Sequence, residues 1–183
     1  MPVPLQLHPD RLFPADPTTR DLARRLYATV KDLPIVSPHG HTDPQWFADD
    51  TPFANASALF ITPDHYVFRM LYSQGIALDD LGIPRTDGGA SETDARRIWR
   101  TLAANFHLFR GTPTRLWLDH AFATVFGIEE RLTPESADRL FARINECLAK
   151  PDFRPRALFE RFNLEVLATT ESPLDPLAHH AKI

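Results

Sequence analysis

The stretch Leu33-Pro34-Ile35-Val36-Ser37-Pro38-His39-Gly40-His41 decides how this chain is read. Ahead of it, Leu22, Leu26, Val30 and Leu33 recur at helical spacing, which predicts a helix over residues 17–33. Pro34 ends that helix, and Ile35-Val36-Ser37 reads as a short buried strand. A helix leading into an apolar strand suits a parallel sheet flanked by helices, the α/β class. Directly after the strand come His39 and His41. Residues i and i+2 point the same way on extended backbone, so both imidazoles would project from the strand's C-terminal end. Barrel enzymes place their chemistry at that end. Gly40 lets the backbone crowd close to a metal or substrate. The competing reading is a pair of polar side chains on a solvent-facing loop.

Outward from this stretch, the 17 prolines organise the chain. Asp16-Pro17, Asp43-Pro44, Thr62-Pro63, Thr112-Pro113, Thr133-Pro134 and Asp175-Pro176 each set a capping side chain before a proline, the arrangement of a helix start. Helices are expected over residues 44–48, 63–74, 91–110, 113–126, 134–149 and 156–162. Residues 55–61 fit helix or strand equally. Ile98, Leu102, Phe106 and Phe109 form one apolar stripe, and Leu140, Phe141, Ile144 and Leu148 another. Residues 164–170 read as a second strand, and a last helix begins at Pro176.

The excursion between the strands is far longer than an ordinary crossover and reads as a helical insertion. The organisation is therefore residues 1–50 (helix, first strand and HxH), 51–162 (helical insertion) and 163–183 (second strand and start of the next helix). A (β/α)8 barrel takes about 250 residues before insertions. The expectation is the N-terminal part of a larger protein.

Composition excludes several classes. The 183 residues are 43% hydrophobic and 24% charged, as in ordinary globular proteins. A net charge of -4 gives no basic footprint for nucleic acid. No apolar run approaches the roughly 20 residues of a membrane span. The proline-broken N-terminus is not a signal peptide, and a single cysteine, Cys147, precludes an intrachain disulfide. A cytoplasmic setting is expected. Nothing in the sequence fixes an oligomeric state; a homo-oligomer stays open.

Few other residues point to chemistry. Catalytic zinc takes three protein ligands and an open position, yet no other histidine lies on a strand with suitable spacing. Asp64-His65-Tyr66-Val67-Phe68-Arg69 opens a helix with Tyr66 and Arg69 on one face and His65 beside them. Arg69 has the donors to hold a carboxylate bidentately. An ordinary helix start, with Tyr66 packed and Arg69 solvated, explains the same residues. Glu171 follows the second strand as a candidate contact or a plain turn residue. Trp117, Asp119 and His120 read as helix packing and surface, and Cys147 as core. No phosphate loop, GxSxG or zinc ribbon is present.

Several segments resemble the start of the uronate (glucuronate) isomerase family of the amidohydrolase superfamily. They are His8-Pro9-Asp10-Arg11-Leu12-Phe13, Arg24-Arg25-Leu26-Tyr27 and the Leu33–His41 stretch. Asp64-His65-Tyr66 with Arg69 matches the family's DHY…R signature. Phe126-Gly127-Ile128 and Thr169-Thr170…Pro173…Asp175 match in order. HxH alone is shared by the whole superfamily; HxH followed by DHYxxR and a long helical insert is far more specific. The resemblance covers about the first two-fifths of a complete member.

It implies the N-terminal part of a distorted (β/α)8 TIM barrel with a large α-helical insertion between strands 1 and 2. It implies aldose–ketose isomerisation of hexuronates, D-glucuronate to D-fructuronate and D-galacturonate to D-tagaturonate. His39 and His41 would be metal ligands for a divalent ion, zinc by their chemistry. Tyr66 would be the catalytic proton carrier, and His65 and Arg69 would bind substrate. This sequence departs from many relatives with Ser37 two residues before the first histidine, Glu171 after the Thr-Thr pair, and Asp119-His120 after Trp117. The alternatives are a metal-dependent hydrolase of the same superfamily and a non-enzymatic helical fragment. The 183 residues alone are expected to be inactive.

Overall fold

The computed structural model describes residues 2–172 and 174–183. Pro173, part of the family-like Thr169…Asp175 segment, lies outside the described residues. In chain order the elements are α1 (Pro17–Val30), β1 (Ile35–Ser37), α2 (Pro44–Asp49), α3 (Ala56–Phe60), α4 (His65–Ser73), α5 (Ala95–Asn105), α6 (Pro113–His120), α7 (Ala137–Leu148), α8 (Pro155–Arg161), β2 (Leu164–Leu167) and α9 (Ala178–Lys182). This is an α/β fold rich in helix and poor in strand, as expected of a partial, distorted barrel carrying a helical insertion. The chain divides into two compact units. One joins residues 1–7 to 53–149, and the other joins 8–52 to 150–183.

The first unit is helical and built on aromatic packing. Trp99, Phe106, Phe109 and Phe122 are fully buried. Phe122 meets the rings of Phe60, Trp99 and Phe106 at 5.6, 6.0 and 6.1 Å between centroids. Such pairs add about 0.5–1.5 kcal/mol each beyond their area burial. The Trp99 Nε1–H donates to the Ala137 carbonyl at 2.8 Å, so the buried indole leaves no polar atom unpaired. Both predicted stripes are inward: Ile98, Leu102, Phe106 and Phe109 from α5 and the turn after it, and Leu140, Phe141, Ile144 and Leu148 from α7. Residues 55–61 resolve as helix. Asn55 caps it, its side-chain oxygen accepting from the Ala58 N–H at 2.9 Å.

Helix starts follow chemistry more selective than the proline rule. Asp16, Asp43 and Thr112 cap α1, α2 and α6 with a proline in the first turn, which accounts for three of the six pairs. At Thr62-Pro63 the start moves to Asp64, whose carboxylate accepts from the Tyr66 N–H. After Thr133-Pro134 and Asp175-Pro176 the helices begin at Ala137 and Ala178. The helix predicted from Ser91 starts at Ala95, because Asp94 is itself the cap, accepting from the N–H groups of Arg96 and Arg97. It closes as a 3₁₀ turn over Phe106–Phe109. The helix predicted over 113–126 is α only to His120 and widens to a π turn over Ala121–Val125.

The second unit holds the sheet. β1 and β2 pair in parallel with Ile35 beside Leu164, Val36 beside Val166 and Ser37 beside Leu167. α1 stops at Val30, short of Leu33. The strand expected to be buried is open: Ile35 is 49% and Val36 58% exposed. Leu22, Leu26, Val30 and Leu33 are exposed as well. Two short strands supply too little surface to cover either face of a sheet and a helix stripe. Polar clasps hold the segment around α1 instead. Asp10 accepts from Arg24 Nε and Nη2 at 2.8 and 2.5 Å, and the Phe13 ring meets Tyr27 edge-on at 5.7 Å. Two of the family-like segments are thus one structural joint.

Candidate functional site

The β1–β2 ladder positions the two histidines. Its last rung is the Ala168 N–H donating to the Ser37 carbonyl at 2.9 Å. Beyond that rung the chain runs through Pro38 into His39-Gly40-His41. Two hydroxyls hold this turn. Ser37 Oγ donates to the His39 carbonyl at 3.2 Å, and Thr170 Oγ1 donates to the Gly40 carbonyl at 2.5 Å. A Cβ on Gly40 would meet the Ala168 carbonyl oxygen at 3.1 Å, so the approach of the two strand ends needs a glycine.

The imidazoles converge. Nε2 of His39 lies 3.0 Å from Nε2 of His41, with ring centroids 5.0 Å apart and planes at 70°. Both residues are exposed. A zinc–imidazole bond is about 2.0–2.1 Å, so one ion reaches both nitrogens at this separation. The donor set, two imidazole nitrogens, suits zinc and its neighbours. Among the described residues no group of three or more His, Cys, Asp or Glu side chains converges. By separation and donor type, the pair fits as two ligands of such a site.

His65, Tyr66 and Arg69 belong to the other unit. The Asp64 cap sets the entry of α4, and the His65 and Tyr66 rings stack at 4.2 Å and 33°. Tyr66 is 54% exposed, and Arg69 is exposed as well. The Trp117 ring stands edge-on to Tyr66 at 6.0 Å and is 56% exposed. The sequence reading of Trp117 as helix packing and surface misses this ring contact, because Tyr66 and Trp117 lie on different helices and no local spacing links them. One turn away, Arg115 joins Asp119 at 2.8 Å and lays its guanidinium 4.0 Å over the Phe106 ring.

Thr169, Glu171 and His180 form a cluster that periodicity does not reveal. Thr169 Oγ1 donates to Glu171 Oε2 at 2.7 Å and lies 2.8 Å from His180 Nε2. The His180 ring also stands 3.5 Å from the Glu171 carboxylate. Lys182 pairs with Asp49, whose carboxyl is held below the ordinary carboxylate range first by that ammonium and then by Gln45. A cavity of about 470 Å³ in this unit is bounded by Phe47, Phe159, Val166, Leu167 and His180. None of the five predicted site residues lines it.

Comparison with known proteins decides the family. A profile described as glucuronate isomerase matches residues 17–183. The chain belongs to the glucuronate isomerase family. The uronate isomerase of Rhizorhabdus wittichii is 67% identical over 180 residues, covering 98% of this chain and 37% of that protein. The uronate isomerase of Xanthomonas campestris pv. campestris is 63% identical over 183 residues, covering all of this chain and 39% of its own length. Among solved structures, the glucuronate isomerase of Caulobacter crescentus superposes with a TM-score of 0.92 at 58% identity, over 98% of this chain and 37% of that one. Uronate isomerase from Thermotoga maritima gives 0.81 at 28% identity, over 97% and 36%. The chain thus spans under two-fifths of the length of the curated relatives it matches. No helix among the described residues is long and apolar enough to cross a membrane.

Proposed function

We propose that this chain forms the N-terminal part of an enzyme that interconverts aldose and ketose hexuronates, D-glucuronate with D-fructuronate and D-galacturonate with D-tagaturonate. The observation that carries the reading is the convergence of His39 and His41 on the end of a parallel strand pair, in a chain of the glucuronate isomerase family. That membership favours isomerisation over the hydrolysis known elsewhere in the superfamily.

His39 and His41 would hold a divalent ion, zinc by their donor chemistry, and a bound ion would orient substrate oxygens and stabilise charge developing on them. Isomerisation moves a hydrogen between carbons 2 and 1 of the open-chain sugar through a cis-enediol, which needs an acid/base group near the carbons. Tyr66, exposed and held by the rings of His65 and Trp117, is the proposed proton carrier. Arg69 would pair with the uronate carboxylate through parallel N–H donors, and His65 would bond a sugar hydroxyl. The partner is a small anionic sugar; a chain of net charge -4 offers no basic stripe for nucleic acid. The single cysteine, Cys147, is buried, which suits the cytoplasm. The 183 residues alone have no turnover on this reading, because two ligands do not make a three-ligand catalytic site.

The test is a chimera. This sequence replaces the matching N-terminal segment of the Rhizorhabdus wittichii uronate isomerase, and D-glucuronate isomerisation is followed. Turnover in the chimera, with loss on Tyr66→Phe and on His39→Ala, is expected. An inactive but folded chimera, or full turnover with Tyr66→Phe, would overturn the assignment or the tyrosine's role respectively.

A further inference from the structure

We propose that Thr170 is a positioning residue that fixes the His39–His41 pair in ion-holding geometry; this rests on the proposed metal role of those histidines. The Thr170 hydroxyl donates to the Gly40 carbonyl at 2.5 Å, across 130 residues of chain. That carbonyl belongs to the peptide unit joining Gly40 to His41. Fixing its plane fixes the direction in which the His41 side chain leaves the backbone. On the other side, Ser37 Oγ bonds the His39 carbonyl, so each half of the turn has one hydroxyl anchor.

The neighbouring threonine shows why two stand together. Thr169 Oγ1 is taken up by Glu171 and His180, on the side of α9. Thr170, next in the chain, instead sets its hydroxyl on the Gly40 carbonyl of the histidine turn. Gly40 brings the turn close enough for the bond, since any Cβ there would press on the Ala168 carbonyl at 3.1 Å. A group that orients a ligand without touching the ion is worth about 10–100-fold in metal affinity.

The experiment titrates the metal-free Rhizorhabdus wittichii chimera, in which this chain is unsubstituted or varied, with Co2+ and reads the visible absorption band and the dissociation constant. Thr170→Val is expected to weaken binding about 10–100-fold while far-UV circular dichroism stays unchanged. Thr170→Ser keeps the hydroxyl and should restore both affinity and band shape. Gly40→Ala attacks the same joint from the other strand and should weaken binding too; it decides the matter if Thr170→Val does not fold. Equal affinities for the unsubstituted chimera and Thr170→Val, or failure of serine to rescue, would overturn the positioning role alone. No Co2+ binding by the unsubstituted chimera at millimolar metal, or binding unchanged in the His39→Ala/His41→Ala double variant, would overturn the metal role of the histidines and the Thr170 proposal with it.

Discussion

Nε2 of His39 and Nε2 of His41 lie 3.0 Å apart at the end of a parallel ladder whose last rung joins Ser37 to Ala168. The turn between them is held by backbone and hydroxyl bonds that need no ion. Metal removal should therefore leave the fold intact. Chelation with EDTA is expected to leave the circular dichroism spectrum unchanged. Zinc at 100 times its dissociation constant should raise the unfolding free energy by about 2.7 kcal/mol. His39→Ala should abolish that zinc-dependent rise in thermal midpoint. Unfolding on chelation would instead make the ion structural.

Trp99 is the keystone of the helical unit, fully buried and donating to the Ala137 carbonyl. Trp99→Ala opens a cavity lined by Phe122 and Phe141 and should cost about 3–5 kcal/mol. Trp99→Phe retains most of the packing but loses the hydrogen bond, worth about 0.5–1.5 kcal/mol. Urea denaturation followed by circular dichroism measures both; equal losses for the two variants would remove the ranking.

Much of this architecture is legible in the order of residues alone. The stripes of Ile98, Leu102, Phe106 and Phe109 and of Leu140, Phe141, Ile144 and Leu148 repeat at helical spacing and are buried as expected. The HxH pair is legible because i and i+2 on extended backbone must face together. Helix starts near Thr62, Ser91, Thr133 and Asp175 are harder to place because a cap is a contest between nearby side chains. Asp64 and Asp94 win theirs by bonding backbone N–H groups. The exposure of Val36 is not legible because strand burial depends on partners that sequence period does not count. Thr170 gives no local signal because its bond reaches a residue 130 positions away.

Asp10 should report acid opening of the clasp around α1. The Arg24 hydrogen bond holds its carboxyl below the ordinary value of 3.8. A depressed carboxyl favours the folded form at pH above that ordinary value, and the contribution is lost as pH falls through the lowered one. Tyr27, seated against Phe13 beside the clasp, is the probe. Its ring resonances should hold steady from about pH 7 to about pH 4 and shift only below that, and Asp10→Asn should give the shifted positions already at neutral pH. A Tyr27 transition centred above about pH 4 would contradict the clasp.

Asp87 should titrate lower still. Arg85 bonds it through Nε and Nη2 at 2.9 and 2.6 Å, and the Gly89 N–H adds a third bond. Together these push its carboxyl down to about 2. Carboxyl NMR should give a midpoint near 2 for Asp87, and Arg85→Gln should move it back toward 3.8. Arg85 also pairs with Asp79 at 3.2 Å, so this change should disturb Asp79 and the surrounding loop and leave resonances elsewhere unmoved.

Val36 and Val166 stand side by side in the β1–β2 register, 58% and 46% exposed. With Ile35 at 49% they present apolar sheet surface to solvent. Such a face attracts other apolar surface, and an open strand edge offers unpaired backbone groups to another chain. The 183-residue chain should therefore self-associate, with a weight-average mass in sedimentation equilibrium that rises with concentration above 20.8 kDa. A lysine on the exposed face opposes apolar stacking by its hydration and charge, and costs little where nothing packs. Val36→Lys/Val166→Lys is expected to return the mass to that of one chain while keeping the helical circular dichroism signal. A monomer at all concentrations before substitution would mean that this exposed face is too small or too curved to hold a second copy.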